Sequence, residues 1–144
     1  MGSREPQAVE EKGGPILRSA YFQDFKDGPK VLFWGDTKAM RDLAGLLNAS
    51  SVGTEPLALG SFSDAVDRKT IVILPTSPTV GMRFRDSRFE WCLDPETMID
   101  FSDKLNVLAE SNKPGHQYLE CGVKGEIVVM ASCGEYPADL SPNP

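Results

Sequence analysis

The side chains that could carry out covalent catalysis in this chain are a single histidine, His116, and three cysteines, Cys92, Cys121 and Cys133. A cysteine is nucleophilic as its thiolate, which needs a base or a positive charge beside it. His116 with one thiol would therefore suit a Cys/His-dependent hydrolase. The linear spacing places no cysteine directly beside His116, and no Cys-x-x-Cys pair of the kind that holds zinc is present. We predict structural roles for these residues, hence no enzyme, no metal centre and no cofactor, with the hydrolase as an alternative.

The overall charge restricts the class of partner. The formal net charge is −6, and an average field of that sign repels DNA and RNA. The main basic feature groups Arg83, Arg85 and Arg88 around Asp86, which is too little for a footprint on phosphates. We therefore predict no nucleic-acid partner and expect a basic protein to be favoured.

Acidic side chains are concentrated on one face of a predicted helix. At 100° per residue, Glu96, Asp100, Asp103 and Glu110 fall opposite the apolar face of that helix. Such a face could attract and hold a basic protein, so we predict Glu96, Asp100 and Asp103 as partner-binding residues. The competing interpretation is a solvated helix face, because charged residues cover most surface helices.

The elements that position these residues occur twice in the same order. Each copy has an apolar strand with a tryptophan, an aspartate, an amphipathic helix and a strand rich in valine and isoleucine. The first copy comprises residues 31–34, Asp36, a helix to about Asn48, and residues 71–74. The second comprises residues 89–93, Asp94, a helix to about Asn112, and residues 127–130. The repeat predicts one domain of two similar strand–helix–strand halves, each too small to bury its own apolar face.

Capping residues and apolar spacing predict the two helices. Asp36 or Thr37 caps the first, and Asp94 caps the second with Pro95 at the favoured first position. The expected buried faces are Met40, Leu43, Leu46 and Leu47 on the first helix, and Met98, Phe101, Leu105 and Leu108 on the second. Trp34 and Trp91 hold matching places in the two copies and are predicted to be core residues.

Strand patterns then predict the fold class. Alternating apolar residues at 80–84 and 89–93 flank the turn at 86–88, and a second hairpin joins residues 117–121 to 126–133. We predict an α+β two-layer sandwich, with two helices on one face of a mainly antiparallel sheet of about six strands.

Composition predicts the domain limits and the compartment. Residues 1–29 are expected to be a partly disordered N-terminal arm, 30–136 a single α/β domain, and 137–144 a flexible, proline-rich tail. No apolar run approaches the roughly 18 residues that cross a bilayer, and no secretory signal opens the chain. An odd number of widely spaced cysteines is atypical of secreted disulfide scaffolds. We therefore predict a cytoplasmic protein with no membrane contact.

Together, these features resemble a known class of proteins over residues 30–136. The most specific matching segments are Gly115-His116-Gln117-Tyr118-Leu119 and Gly134-Glu135-Tyr136, with the strand that leads to Asp94 and its helix. The chain is similar to small bacterial α/β immunity proteins encoded beside polymorphic toxins. The resemblance implies an inhibitor that binds a cognate toxin and blocks its active site without a cofactor or chemistry of its own. The alternatives are a small-ligand-binding domain and the Cys/His-dependent hydrolase.

Overall fold

The computed structural model describes residues 16–75, 77 and 79–142, and in these ranges it has two α-helices and nine β-strands. A short 3-10 turn comprises Leu59–Ser61. The strands are β1 (Arg18–Phe25), β2 (Gly28–Gly35), β3 (Leu57–Ala58), β4 (Asp64–Ala65), β5 (Ile71–Leu74), β6 (Gly81–Arg85), β7 (Arg88–Cys92), β8 (Gly115–Tyr118) and β9 (Val128–Cys133). The helices are α1 (Thr37–Ser51) and α2 (Pro95–Glu110).

The strands form two mixed sheets, with the orders β4-β1-β2-β9-β8 and β3-β5-β7-β6. The predicted α+β class with two helices is correct, but the predicted single sheet of about six mainly antiparallel strands is wrong. The difference arises because β2 pairs with β9, and β5 with β7, in parallel. Local alternation of apolar residues reveals hairpins, whereas it carries no information on a parallel partner far along the chain.

Each half of the chain contains a hairpin, a helix and two further strands, with β4 as an extra short strand in the first half. The halves exchange strands. The β1–β2 hairpin pairs with β9 of the second half, and the β6–β7 hairpin pairs with β5 of the first. Each sheet therefore combines a hairpin from one half with two strands from the other, and the five-stranded sheet also includes β4.

The N-cap residues Asp36 and Asp94 give a common origin for comparing the halves. Three residues before the caps, Phe33 matches Trp91, and their rings stack with centroids 5.3 Å apart. Trp34 lies on the opposite face of its strand, in a separate apolar cluster. The prediction that Trp34 and Trp91 hold matching places is therefore wrong, although both are buried as predicted.

The two helices begin at the predicted residues and pack against each other. The Asp36 carboxylate accepts the Ala39 N–H at 3.1 Å, and the Asp94 carboxylate accepts the Thr97 N–H at 2.9 Å. Between the helices, the buried Ser102 hydroxyl donates to the Ala44 carbonyl at 3.0 Å. The predicted helix faces are buried, except for half-buried Leu46, within a core that both sheets share.

A second apolar cluster covers the other face of the five-stranded sheet. The Trp34 indole N–H donates to the Pro137 carbonyl at 2.9 Å, and Leu140 packs against the same cluster. This cluster includes Phe22 of β1, so the predicted domain boundary at residue 30 lies inside the β1–β2 hairpin, and residues 137–140 make specific contacts with the sheet. The part of the predicted arm at residues 1–15 lies outside the described residues.

Candidate functional site

The exposed face of α2 carries four carboxylates and two apolar side chains within an arc of about 100°. We call this set the α2 stripe, and it consists of Glu96, Ile99, Asp100, Asp103, Val107 and Glu110. Ile99 is 47% exposed and Val107 is 60% exposed, in contrast to the buried opposite face. At 1.5 Å per residue the α2 stripe is about 21 Å long. It therefore brings the predicted residues Glu96, Asp100 and Asp103 onto one accessible surface.

The α2 stripe keeps most of its negative charge. Lys104 lies beside it, 3.6 Å from Asp100, and its ammonium is also 5.9 Å from the centroid of the Phe101 ring. Within the described part of the chain, the other three carboxylates form no ion pair. Since both partners of the Lys104–Asp100 pair are well exposed, it contributes little to stability.

The predicted basic group around the β6–β7 turn is partly neutralised within its own sheet. Glu90 is 7% exposed and accepts Arg85 at 3.0 Å and Arg88 at 3.2 Å. The Arg83 guanidinium donates to the Val80 carbonyl at 2.8 Å. One buried carboxylate therefore offsets part of the positive charge of these three arginines.

His116 lies on β8, opposite Ser132 of β9, and both side chains contact Glu135. The Nδ1 atom of His116 is 3.1 Å from both carboxylate oxygens, and the Ser132 hydroxyl donates to one of them. Burial raises the pKa of Glu135, but the hydrogen bonds from Ser132 and His116 outweigh it and leave that pKa below 4.5. The Ser132 hydroxyl thus donates to the Glu135 carboxylate and not to the His116 ring, so His116 is not placed to activate this hydroxyl as a nucleophile.

Cys121 and Cys133 lie in environments that raise the pKa of their thiols. Cys133 follows Ser132 on β9 and therefore points to the opposite face, into the core. Burial, and then the charges of Asp36 and Glu135, raise its pKa. Cys121 is half-buried, and burial followed by the charges of Glu126 and Asp94 raises its pKa to about 11. Reactive cysteines show the reverse shift.

A carboxylate that the sequence analysis did not single out organises the loop between β8 and β9. Glu126 accepts backbone N–H groups from Cys121, Gly122 and Val123 at 3.0, 2.7 and 3.3 Å. These converging donors resemble an anion-binding loop, but the protein's own carboxylate already occupies them. Gly122 and Gly125 adopt positive φ on either side of this contact. These two glycines are the only feature of the sequence that indicates a tightly turned loop here.

A further feature that sequence reasoning missed is an apolar opening between the two sheets. We call it the aromatic crevice. Its volume is about 210 Å³, and it is lined by Tyr21, Lys69, Phe84, Phe89 and Ile127. The Phe89 ring lies 5.2 Å from Tyr21 and 4.8 Å from Phe84, and Phe84 is 51% exposed at the rim. The Phe84–Phe89 cross-strand pair was visible in the alternation, but the contribution of Tyr21 from β1 was not.

Neither a metal cluster nor a membrane helix is found in the described ranges. No three or more His, Cys, Asp or Glu side chains converge there in a way that could hold a metal ion. Neither α1 nor α2 combines the length and the apolar content that a bilayer crossing requires.

Comparison of this chain with family models, with curated proteins and with solved structures found no match.

Proposed function

We propose that this protein is a non-enzymatic binding protein that acts as an immunity protein in the cytoplasm, where it binds a cognate basic toxin and neutralises it. Glu96, Asp100 and Asp103 are the proposed contacts to the toxin. The observation that carries the proposal is the α2 stripe, in which carboxylates surround exposed apolar side chains. This combination suits a protein partner, because apolar groups supply the desolvated centre of an interface and charged groups its rim.

The electrostatics of the chain support a basic partner. The net charge of −6 and the unpaired carboxylates of the α2 stripe have the same sign, so the long-range field and the local surface act together. Complementary charge accelerates encounter between proteins and orients them before contact. The proposed complex should therefore form faster at low ionic strength.

The surroundings of His116 and of the thiols argue against the Cys/His-dependent hydrolase. His116 is held by Glu135, and Cys133 lies on the other face of the same sheet. The raised pKa of Cys121 leaves little thiolate at neutral pH. An inhibitor that works by binding needs none of these groups to be activated.

The direct test pairs this protein with the toxin-like product of the gene beside its own. Co-expression should protect cells, and the purified proteins should form a complex. The triple variant Glu96→Gln, Asp100→Asn and Asp103→Asn should reduce the association rate by about tenfold at low salt, because it removes steering charge from the contact surface. Stopped-flow or surface plasmon resonance measures this rate.

A matched control removes the same charge elsewhere, through Asp24→Asn, Asp27→Asn and Glu55→Gln, all at exposed positions. The control should change the association rate much less than the α2 variant. Cells that die equally with and without this protein, with no complex at low salt, would refute the immunity proposal. Equal effects of the two triple variants would refute the α2 stripe as the binding surface.

A further inference from the structure

The chain that follows β9 crosses the face of the five-stranded sheet that carries Trp34. We call residues 134–142 the C-terminal strap. It begins beside the edge strand β8, where Glu135 contacts His116. It then crosses β2, where the Trp34 indole N–H donates to the Pro137 carbonyl, and its last residues line an opening beside β1 and β4. The strap therefore covers the second apolar cluster from one side of the sheet to the other.

Beyond its first two residues, the strap is held by contacts that carry no net charge. The Tyr136 ring packs edge-on against Phe25, with centroids 5.5 Å apart, and Leu140 packs against the cluster that contains Trp34. The hydrogen bond from Trp34 to Pro137 joins two neutral groups. The strength of these contacts does not depend on the charge of any side chain.

The first contact of the strap is different, because it joins two ionisable groups. The Nδ1 atom of His116 is 3.1 Å from both oxygens of Glu135, and the two side chains are 33% and 24% exposed. An ionised carboxylate only accepts hydrogen bonds, so Nδ1 is the donor in this contact. Histidine changes its charge between about pH 5 and pH 8. The contact is therefore an ion pair when the ring is protonated and a weaker, singly charged hydrogen bond when it is not.

The surroundings place this pair on the strap side of the sheet. A side chain at Gly115 would point toward Leu108 of α2, so the next residue of β8, His116, points away from that helix. The Tyr118 ring lies beside the His116 ring, with centroids 5.7 Å apart. Lys26, in the β1–β2 turn, contributes a positive charge that also favours the ionised form of Glu135. The charges on α2 thus lie across the sheet from the pair.

We propose that His116 and Glu135 form a pH-dependent latch that determines how often the C-terminal strap lifts from the sheet. The protonated ring stabilises the closed strap, and this stabilisation is lost as the pH rises through the range in which histidine loses its charge. The pair is partly exposed, so the population of the open strap changes by a few-fold only. Lifting of the strap exposes Trp34 and its apolar neighbours to solvent.

The two indole N–H groups of the protein provide the measurement. Exchange of the Trp34 N–H with solvent requires its hydrogen bond to Pro137 to break, so NMR hydrogen exchange at this group reports lifting of the strap. The Trp91 indole is fully buried in the core that both sheets share and reports global unfolding. The Trp34 N–H should exchange faster than the Trp91 N–H, because lifting of the strap breaks far fewer contacts than unfolding does.

A charge-neutral variant tests the latch. His116→Gln keeps a hydrogen-bond donor but carries no charge, so at pH 5.5 its Trp34 N–H should exchange about threefold faster than that of the original protein. At pH 8.5 the two rates should be equal, and comparison at the same pH removes the intrinsic pH dependence of exchange. The matched control Lys38→Gln breaks the exposed ion pair with Asp42 on α1 and should leave the Trp34 rate unchanged.

The second member of the pair is tested in the same way. Glu135→Gln should also accelerate Trp34 exchange at pH 5.5, and the double variant with His116→Gln should show less than the product of the two single effects. Equal exchange rates of Trp34 and Trp91 would overturn the proposal, because the strap would then open only when the whole protein unfolds. An effect of His116→Gln that is absent, or that has the same size at pH 5.5 and pH 8.5, would overturn it as well.

Discussion

Phe33 and Trp91 belong to different sheets and matched positions of the two halves, and their rings stack at 5.3 Å with an interplanar angle of 23°. Each residue therefore contacts its own counterpart, as residues do at the axis of a symmetric dimer. Both side chains are fully buried, and Phe101 of α2 extends the stack at 6.0 Å from Trp91. This contact joins the two sheets to the second helix.

The stack predicts energetic coupling between the two sheets. In a double-mutant cycle with Phe33→Leu and Trp91→Leu, we expect a coupling free energy of about 0.5–1.5 kcal/mol, the range for aromatic pairs. Chemical denaturation of the single and double variants measures it. The control cycle combines Trp34→Leu with Trp91→Leu. Their effects on the free energy of unfolding should add within about 0.5 kcal/mol, because the Trp34 ring lies on the other face of its strand. Equal coupling free energies in the two cycles would contradict a specific coupling of the sheets through Phe33 and Trp91.

The layered core predicts a large difference between two neighbouring positions of α2. Phe101 is 1% exposed, so Phe101→Ala should lower the free energy of unfolding by about 3–5 kcal/mol. Ile99 lies on the same helix but is 47% exposed, and Ile99→Ala should cost less than about 1 kcal/mol. Thermal or urea denaturation compares the two. Similar losses at both positions would show that the helix faces are assigned incorrectly.

The environment of Cys121 predicts slow alkylation at neutral pH. With a pKa of about 11, the thiolate fraction at pH 8 is about 0.1%. The rate of labelling by iodoacetamide should rise about tenfold per pH unit until it levels off near pH 11. His116→Ala should not change this profile, and Cys121→Ser identifies the labelled site. A plateau near pH 7 that His116→Ala removes would favour the hydrolase instead.

Glu135 predicts a loss of stability in acid. Its pKa in the folded protein lies below the ordinary value of 4.5, so the folded state binds the proton less readily than the unfolded chain. The stabilisation is therefore present above about pH 4.5 and is lost as the pH falls through the lowered folded value. Glu135→Gln should make the free energy of unfolding depend less steeply on pH as the pH falls below about 4.5. The exposed Glu55→Gln is the control, and an equal flattening there would contradict a specific role for Glu135.

The local features of this fold could be predicted from the sequence because their causes are local. Asp94 followed by Pro95 marks the start of α2, and the observed carboxylate accepts the Thr97 N–H as a cap should. The alternation around the β6–β7 turn predicts that hairpin, with Met82 buried. It also predicts Phe84 inside and Glu90 and Cys92 outside, and these placements are wrong, because Phe84 is 51% exposed and the other two side chains are buried. These patterns depend on residues only a few positions apart.

The sheet order and the crevice could not be predicted, because their causes are distant contacts. Tyr21 meets Phe89 only because β1 and β7 come from different halves that exchange strands. The face of α2 was predictable from helical spacing, whereas its exposed Ile99 and Val107 became evident only from the packing. Helical spacing also placed Glu96, Asp100 and Asp103 together on that face.

The exchange of strands between halves also has a consequence for biosynthesis. β9 lies between β2 and β8, so the β1–β2 hairpin, made first, must wait for a strand that the ribosome adds about 100 residues later. During that delay β2 presents an edge of unpaired backbone N–H and C=O groups, and such an edge can pair wrongly with a neighbouring nascent chain. We therefore expect the β1–β2 hairpin to be prone to wrong pairing until β9 becomes available.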